Sequence, residues 1–148
     1  MTLGTMGRTV EGLAAFRNTE QSRLPTPMRA FIGAWRAMLE GNCRESLVAA
    51  EKCVQHYLDP EGVFYMGLIM ARLGKRERAL TVLSESMDRG FSSVHVLQHN
   101  PWFDGSRSTL KFVKLVERAK MNFIEADKEY LAAGGPQVLG SDRVVAKH

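Results

Sequence analysis

His95 and His99 are the one pair in this 148-residue chain whose spacing suits a metal ion. Four residues apart on a helix, two side chains share a face, the arrangement used in H-E-x-x-H zinc sites. Here the run reads His95-Val96-Leu97-Gln98-His99 and lacks the glutamate that would act as general base. A catalytic zinc also needs a third protein ligand, and no spacing singles one out; Asp104 and His56 are only guesses. Two surface histidines need no ion, so a polar contact to a partner is the better use for them. Cys43 and Cys53 lie on one expected helix, where ten residues at the helical rise put them roughly 15 Å apart. That is beyond the reach of a disulfide. Both read as reduced thiols, as in the cytosol, and nothing places a histidine to activate either one.

Basic residues offer a second chemistry. Arg107, Lys111, Lys114 and Arg118 follow spacings of four, three and four, one stripe on a helix, and Lys75, Arg76 and Arg78 cluster elsewhere. Such stripes can track a phosphate backbone, and the formal net charge is +4. Glu117 interrupts the first cluster and Glu77 the second, while Glu125, Asp127 and Glu129 turn the same helix acidic. A solvated helix face is therefore favoured, with a nucleic-acid accessory domain as the alternative. The chain contains no G-x-x-x-x-G-K-[ST] or G-x-G-x-x-G run, and no spacing marks a carboxylate pair or a Ser-His-Asp set. The expectation is a protein that is not an enzyme and takes no cofactor.

Composition narrows the class. At 45% hydrophobic and 24% charged the chain fits a globular domain and not a mostly disordered one. Its longest apolar run, 62–71, falls short of the roughly 18 residues a membrane span requires. Residues 1–10 carry Arg8 with no apolar core behind it, which argues against a cleaved signal. Two cysteines make no disulfide framework. The expected setting is cytoplasmic, away from membranes.

The elements that must position these residues repeat. A shift of 33 residues carries Pro27 onto Pro60, Phe31 onto Phe64, Ala34 onto Gly67 and Gly41 onto Gly74. It also carries Ser46 onto Ala79, Leu47 onto Leu80 and Ala50 onto Leu83, and a fainter third copy places Leu97, Val113 and Val116. Each unit reads as two helices. In the first, Thr26 caps and Pro27 opens a helix with Met28, Phe31, Ile32, Trp35, Met38 and Leu39 at helical period. Ala30, Gly33, Ala34 and Ala37 form a small-residue face, so this helix needs neighbours on two sides. Gly41-Asn42 ends it, and a helix over 43–57 turns Leu47, Ala50, Val54 and Tyr57 inward. In the second unit Asp59 caps, Pro60 opens, Gly74 ends the first helix, and a helix over 75–89 closes at Gly90. The third unit has a short helix over 92–99, a loop over 101–107 that tucks in Trp102 and Phe103, and a long helix over 109–133 capped by Ser108. The long helix presents Phe112, Val116, Ala119, Phe123, Ala126 and Tyr130, enough to cover the end of a stack. A weaker helix occupies 10–21.

Helix pairs of this length resemble tetratricopeptide repeats. That pattern asks for a bulky residue, Leu-Gly, an aromatic, then Ala and a second aromatic. The second unit supplies Val63, Met66-Gly67, Met70, Ala79 and Leu83. The first departs further, with Ala30, Gly33-Ala34, Ala37, Ser46 and Ala50, and its linker runs two residues long, to Pro60 where the pattern wants the proline at Leu58. The resemblance covers 27–133. The run from Asn100-Pro101-Trp102-Phe103-Asp104 through Phe112 and Leu115 to Ala132-Ala133-Gly134-Gly135 and Val138-Leu139-Gly140 is similar to the C-terminal end of repeat segments in large bacterial signalling proteins. There such segments follow a kinase, cyclase or winged-helix regulatory domain. No such domain is present here, which implies a separated tail or a stand-alone relative.

The resemblance implies an all-α, right-handed helical-hairpin solenoid of two and a half to three repeats with a long C-terminal capping helix. It would form a single domain over 9–135, with units at 27–58, 60–90 and 92–133 and flexible ends at 1–8 and 136–148. Repeat solenoids bind through the concave surface lined by the first helix of each pair. By the resemblance that surface draws on Phe31, Trp35 and Met38, then Glu61, Phe64, Tyr65, Leu68 and Arg72, then His95 and Gln98. Phe31, Phe64 and Leu68 could equally be packing residues. Trp35, Tyr65, Arg72 and Gln98 are better anchors because each joins a polar handle to an apolar body. The implied function is to hold a protein or peptide segment in a bacterial regulatory system, with self-association through exposed solenoid ends as a further possibility.

Overall fold

The computed structural model describes residues 9–56 and 59–138. Among the described residues the chain is all-helical, without strands: α1 (Thr9–Glu20), α2 (Thr26–Leu39), α3 (Cys43–His56), α4 (Pro60–Arg72), α5 (Arg76–Asp88), α6 (Val94–His99), a 3-10 turn (Pro101–Phe103), α7 (Leu110–Ala132) and α8 (Gly135–Val138). None of these helices is long and apolar enough to cross a membrane.

The helix ends follow backbone rules. Gly41 and Gly74, one shift of 33 apart, adopt positive φ (79° and 76°), a conformation that an L side chain rarely takes. Each turn closes with the same two bonds. Asn42 N–H donates to Ala37 O (2.8 Å) and Gly41 N–H to Met38 O (3.1 Å). Lys75 N–H donates to Met70 O (2.8 Å) and Gly74 N–H to Ala71 O (3.0 Å). This is the Schellman closure, which satisfies carbonyls the helix leaves unpaired. Gly90 ends α5 in the same way. Asp59 caps α4 as expected, its carboxylate accepting from Glu61 N–H (3.1 Å).

Three expected starts are corrected. Pro25, not Thr26, occupies the N-cap of α2, and no side chain caps it. Thr109, not Ser108, caps α7 by accepting from Phe112 N–H (3.3 Å). The helix before Pro101 begins at Val94, two residues late, because Ser93 takes the cap and accepts from Val96 N–H. The expected tail after Gly135 starts as a single helical turn, α8. Tyr57, and the expected flexible stretches at 1–8 and 139–148, lie outside the described residues.

Adjacent helices pack as pairs, α2 with α3 and α4 with α5. The pairs also meet each other: α4 lies against both α2 and α3. Gly67 makes the second pair close. A Cβ there would stand 2.8 Å from Leu83 Cγ, so only glycine allows α4 and α5 this separation. Thirty-three residues earlier the facing positions are Ala34 and Ala50, both fully buried. In that first pair Ser46 donates to Ala34 O (2.8 Å), which satisfies a hydroxyl with no access to water.

Two clusters make the core. One joins α2 through α5 around Trp35, Cys53, Val63, Met66 and Ile69. The other joins α4 through α7 around Phe64, Leu68, Leu83, Leu97, Phe103, Phe112 and Leu115. The long helix uses only its first half for this. Its buried residues stop at Ala119, whereas Met121 and Phe123 remain 64% and 63% exposed. The inward placement expected for Phe123 and Ala126 is corrected: both are exposed, because among the described residues the core reaches no further along α7 than Ala119.

Candidate functional site

A row of rings crosses from α2 over α4 to the turn after α6. Tyr65 sits at its centre, edge-on to Phe31, Trp35 and Phe64, with each pair of ring centroids 6.3 Å apart. Trp35 continues to Trp102 at 6.3 Å, and the Arg72 guanidinium lies over the Trp102 ring, 6.0 Å from its centroid. Edge-to-face and cation–π geometries both place positive edges or charge against the electron-rich ring faces, which fixes orientation as well as burying area. Tyr65 is half-buried and its hydroxyl donates to Glu61 Oε1 (3.2 Å). Burial, then the Glu61 charge and that bond, push the Tyr65 hydroxyl above its ordinary pKa.

The turn that delivers Trp102 is held from several sides. Asn100 Oδ1 accepts from Trp102 N–H (2.9 Å), and Phe103 is buried beneath. Arg107 donates to Leu97 O (3.2 Å), Gln98 O, Asn100 O (2.9 Å) and Asp104 Oδ1 (2.8 Å), joining the end of α6 to both sides of the turn.

The ten expected site residues divide. Phe31, Tyr65 and Met38 are half-buried along the row, and Trp35 keeps 7% of its surface. Glu61 and Arg72 are exposed at opposite ends of α4. Phe64 and Leu68 are buried core residues of the second cluster and present no face to a partner, which corrects their place in the site. His95 and Gln98 are exposed on α6, and His95 has its ring contact with His99 and not with the row. His95 stacks on His99 (centroids 4.5 Å apart), and His99 Nδ1 lies 2.9 Å from His95 O. With Val96, Asn100 and Pro101 the two histidines line a shallow hollow of about 210 Å³. Among the described residues no three metal-ligating side chains come together. The residue that sequence reasoning left out of the site is Trp102. Its position after Asn100-Pro101 signals a tight turn, but not which helix the indole would reach.

Four of the seven residues in the two basic clusters, Arg107, Lys111, Arg118 and Arg78, bond within the chain. Lys111 pairs with Glu77, and Arg118 with Asp88 and with the Ser84 hydroxyl, tying α7 to α5. Arg78 binds Glu51 through two donors (2.8 and 2.9 Å) and reaches Glu85, tying α5 to α3. Arg36 bridges Glu20, Glu40 and Glu45, and these carboxylates, Glu20 foremost, raise its already high pKa. No protein-family model, curated protein or solved structure matches this chain.

Proposed function

We propose that the chain is a non-catalytic interaction module, a tetratricopeptide-like right-handed stack of helical hairpins that holds a segment of a partner protein against the ring row. The stack would place the first helix of each pair, α2 and α4, on its concave side. The closing bonds at Gly41 and Gly74 support a repeated hairpin, as does the seating of α4 against both helices of the preceding pair. The proposed setting is a cytoplasmic regulatory system of bacterial type, in keeping with two cysteines that form no bridge.

One observation carries the reading: Phe31, Trp35, Tyr65 and Trp102 come from three separate elements into one row, and three of them are only half-buried. Rings with a polar edge are the side chains that anchor protein interfaces. The nucleic-acid alternative draws less from this arrangement, because three of the four stripe residues, Arg107, Lys111 and Arg118, face acceptors within the chain.

The test is selection of a displayed library of random peptides on the wild-type protein, followed by affinity measurement on a Tyr65→Ala variant of unchanged helical content. A loss of about tenfold or more is expected for removal of a central anchor. Selected peptides that bind the variant with unaltered affinity would remove this face from consideration.

A further inference from the structure

Three arginines stand on α2 and α4. Arg36 is bound to three glutamates, and Arg29 donates to Leu24 O (3.1 Å). Arg72 differs from both. It is exposed, its guanidinium lies on the face of Trp102, and among the described residues no carboxylate pairs with it.

The stack matters because of guanidinium geometry. A ring beneath the plane takes up one face and restricts a long side chain that otherwise samples many rotamers. The in-plane N–H donors stay available at the edge. A carboxylate is their planar complement, accepting two parallel charge-assisted bonds. The backbone of Trp102 is held by Asn100, the turn around it by Arg107, and its indole packs beside Trp35, so the arginine rests on a supported ring.

At the other end of α4 stands Glu61, exposed and accepting from Tyr65. The rise along the helix from Glu61 to Arg72 is about 16 Å, roughly five residues of extended chain. Between them lie the half-buried rings. The row therefore has an electrical direction: a negative end, an apolar middle and a positive end held ready on an indole.

We infer that Arg72, positioned by Trp102, selects an acidic residue of the partner. The segment that fits carries an Asp or Glu carboxylate for Arg72, a bulky apolar side chain for the rings, and a basic residue about five positions away for Glu61. Lys75 and Arg76 follow close behind on the chain, but of these three described residues Arg72 alone lies on a ring, and its supported flat fork matches a carboxylate. This inference rests on the ring row being the binding face.

The experiment uses the displayed random-peptide library on the full chain, comparing wild type, Arg72→Gln, Arg72→Lys and Trp102→Phe. Wild type should enrich peptides with an acidic residue beside an aromatic or leucine. Asp→Asn or Glu→Gln in a selected peptide should weaken it about tenfold against wild type and by less than about twofold against Arg72→Gln. Arg72→Lys keeps the charge without the flat fork and should restore only part of the preference, whereas Trp102→Phe keeps a ring and should retain most of it. If enriched peptides lose affinity in Tyr65→Ala but show no acidic preference, the ring row stands and the role of Arg72 falls. Enrichment of peptides that answer to neither Tyr65 nor Arg72 overturns both, as does the absence of enrichment.

Discussion

Replacing Gly67 by alanine should destabilise the native chain, yet stabilise it once Leu83 has been cut back to alanine. The reason is a distance. A Cβ at position 67 would stand 2.8 Å from Leu83 Cγ and 2.9 Å from its Cδ2, about 1 Å inside normal carbon–carbon contact. Leu83 is fully buried and Cγ is its branch point, so neither can swing aside. Overpacking of this kind costs about 1–3 kcal/mol. Against it, alanine in a helix interior is favoured over glycine by about 1 kcal/mol, leaving a net loss of up to about 2 kcal/mol. Leu83→Ala alone should cost about 2–5 kcal/mol through lost burial and the cavity left behind. In that background the obstruction is gone, and Gly67→Ala should return up to about 1 kcal/mol. The double variant places two alanines where the first hairpin already has Ala34 and Ala50. The assay is urea unfolding followed by helical circular dichroism, read as a double-mutant cycle. Equal effects of Gly67→Ala in both backgrounds, within about 0.5 kcal/mol, would refute the claim that glycine is there to admit Leu83.

Two further outcomes follow from charge and burial. Cys53 is fully buried, and burial pushes its thiol up to about 12, whereas Cys43 is exposed. A thiol-reactive dye near neutral pH should therefore label one cysteine rapidly and the second only on unfolding, and rapid labelling of both would contradict the packing around Cys53. Glu51 is held below the ordinary carboxylate pKa of 4.5, first by hydrogen bonds from Arg78. A carboxylate depressed in the fold contributes stability above its unfolded value and loses it as pH falls below about 4.5 through the folded value. Both partners are more than one-third exposed, so the contribution is below about 1 kcal/mol. The urea midpoint should fall between pH 5 and 3, and by less in Arg78→Met; an identical fall in both would show the pair to be inert.

The helices were legible because their determinants are local. Asp59-Pro60 and the glycines at 41, 74 and 90 state where the backbone turns, and apolar spacing states which stripe is buried. The one-residue differences at Thr26 and Ser108 have separate causes: α2 starts without a side-chain cap, and at α7 two adjacent hydroxyl residues could each cap, with Thr109 taking the bond. Three of the four rings of the row, Phe31, Trp35 and Tyr65, stand among the groove residues that the repeat resemblance implies; the fourth, Trp102, does not. Phe64 and Leu68 went astray because periodicity gives the face of a helix and not how many neighbours cover it, and α4 has them on several sides.

The sequence by itself determined the helical hairpins, their repeat of 33 residues and the turns that close them, since caps, glycines and spacing act within a few residues. Tertiary structure alone decided that Trp102 reaches Trp35 and Arg72, that Lys111 and Arg118 pair with Glu77 and Asp88, and that the core stops short of Phe123 among the described residues. These outcomes join residues about thirty or more apart, or depend on how far the packing of other helices extends, and no local rule of the chain carries that information.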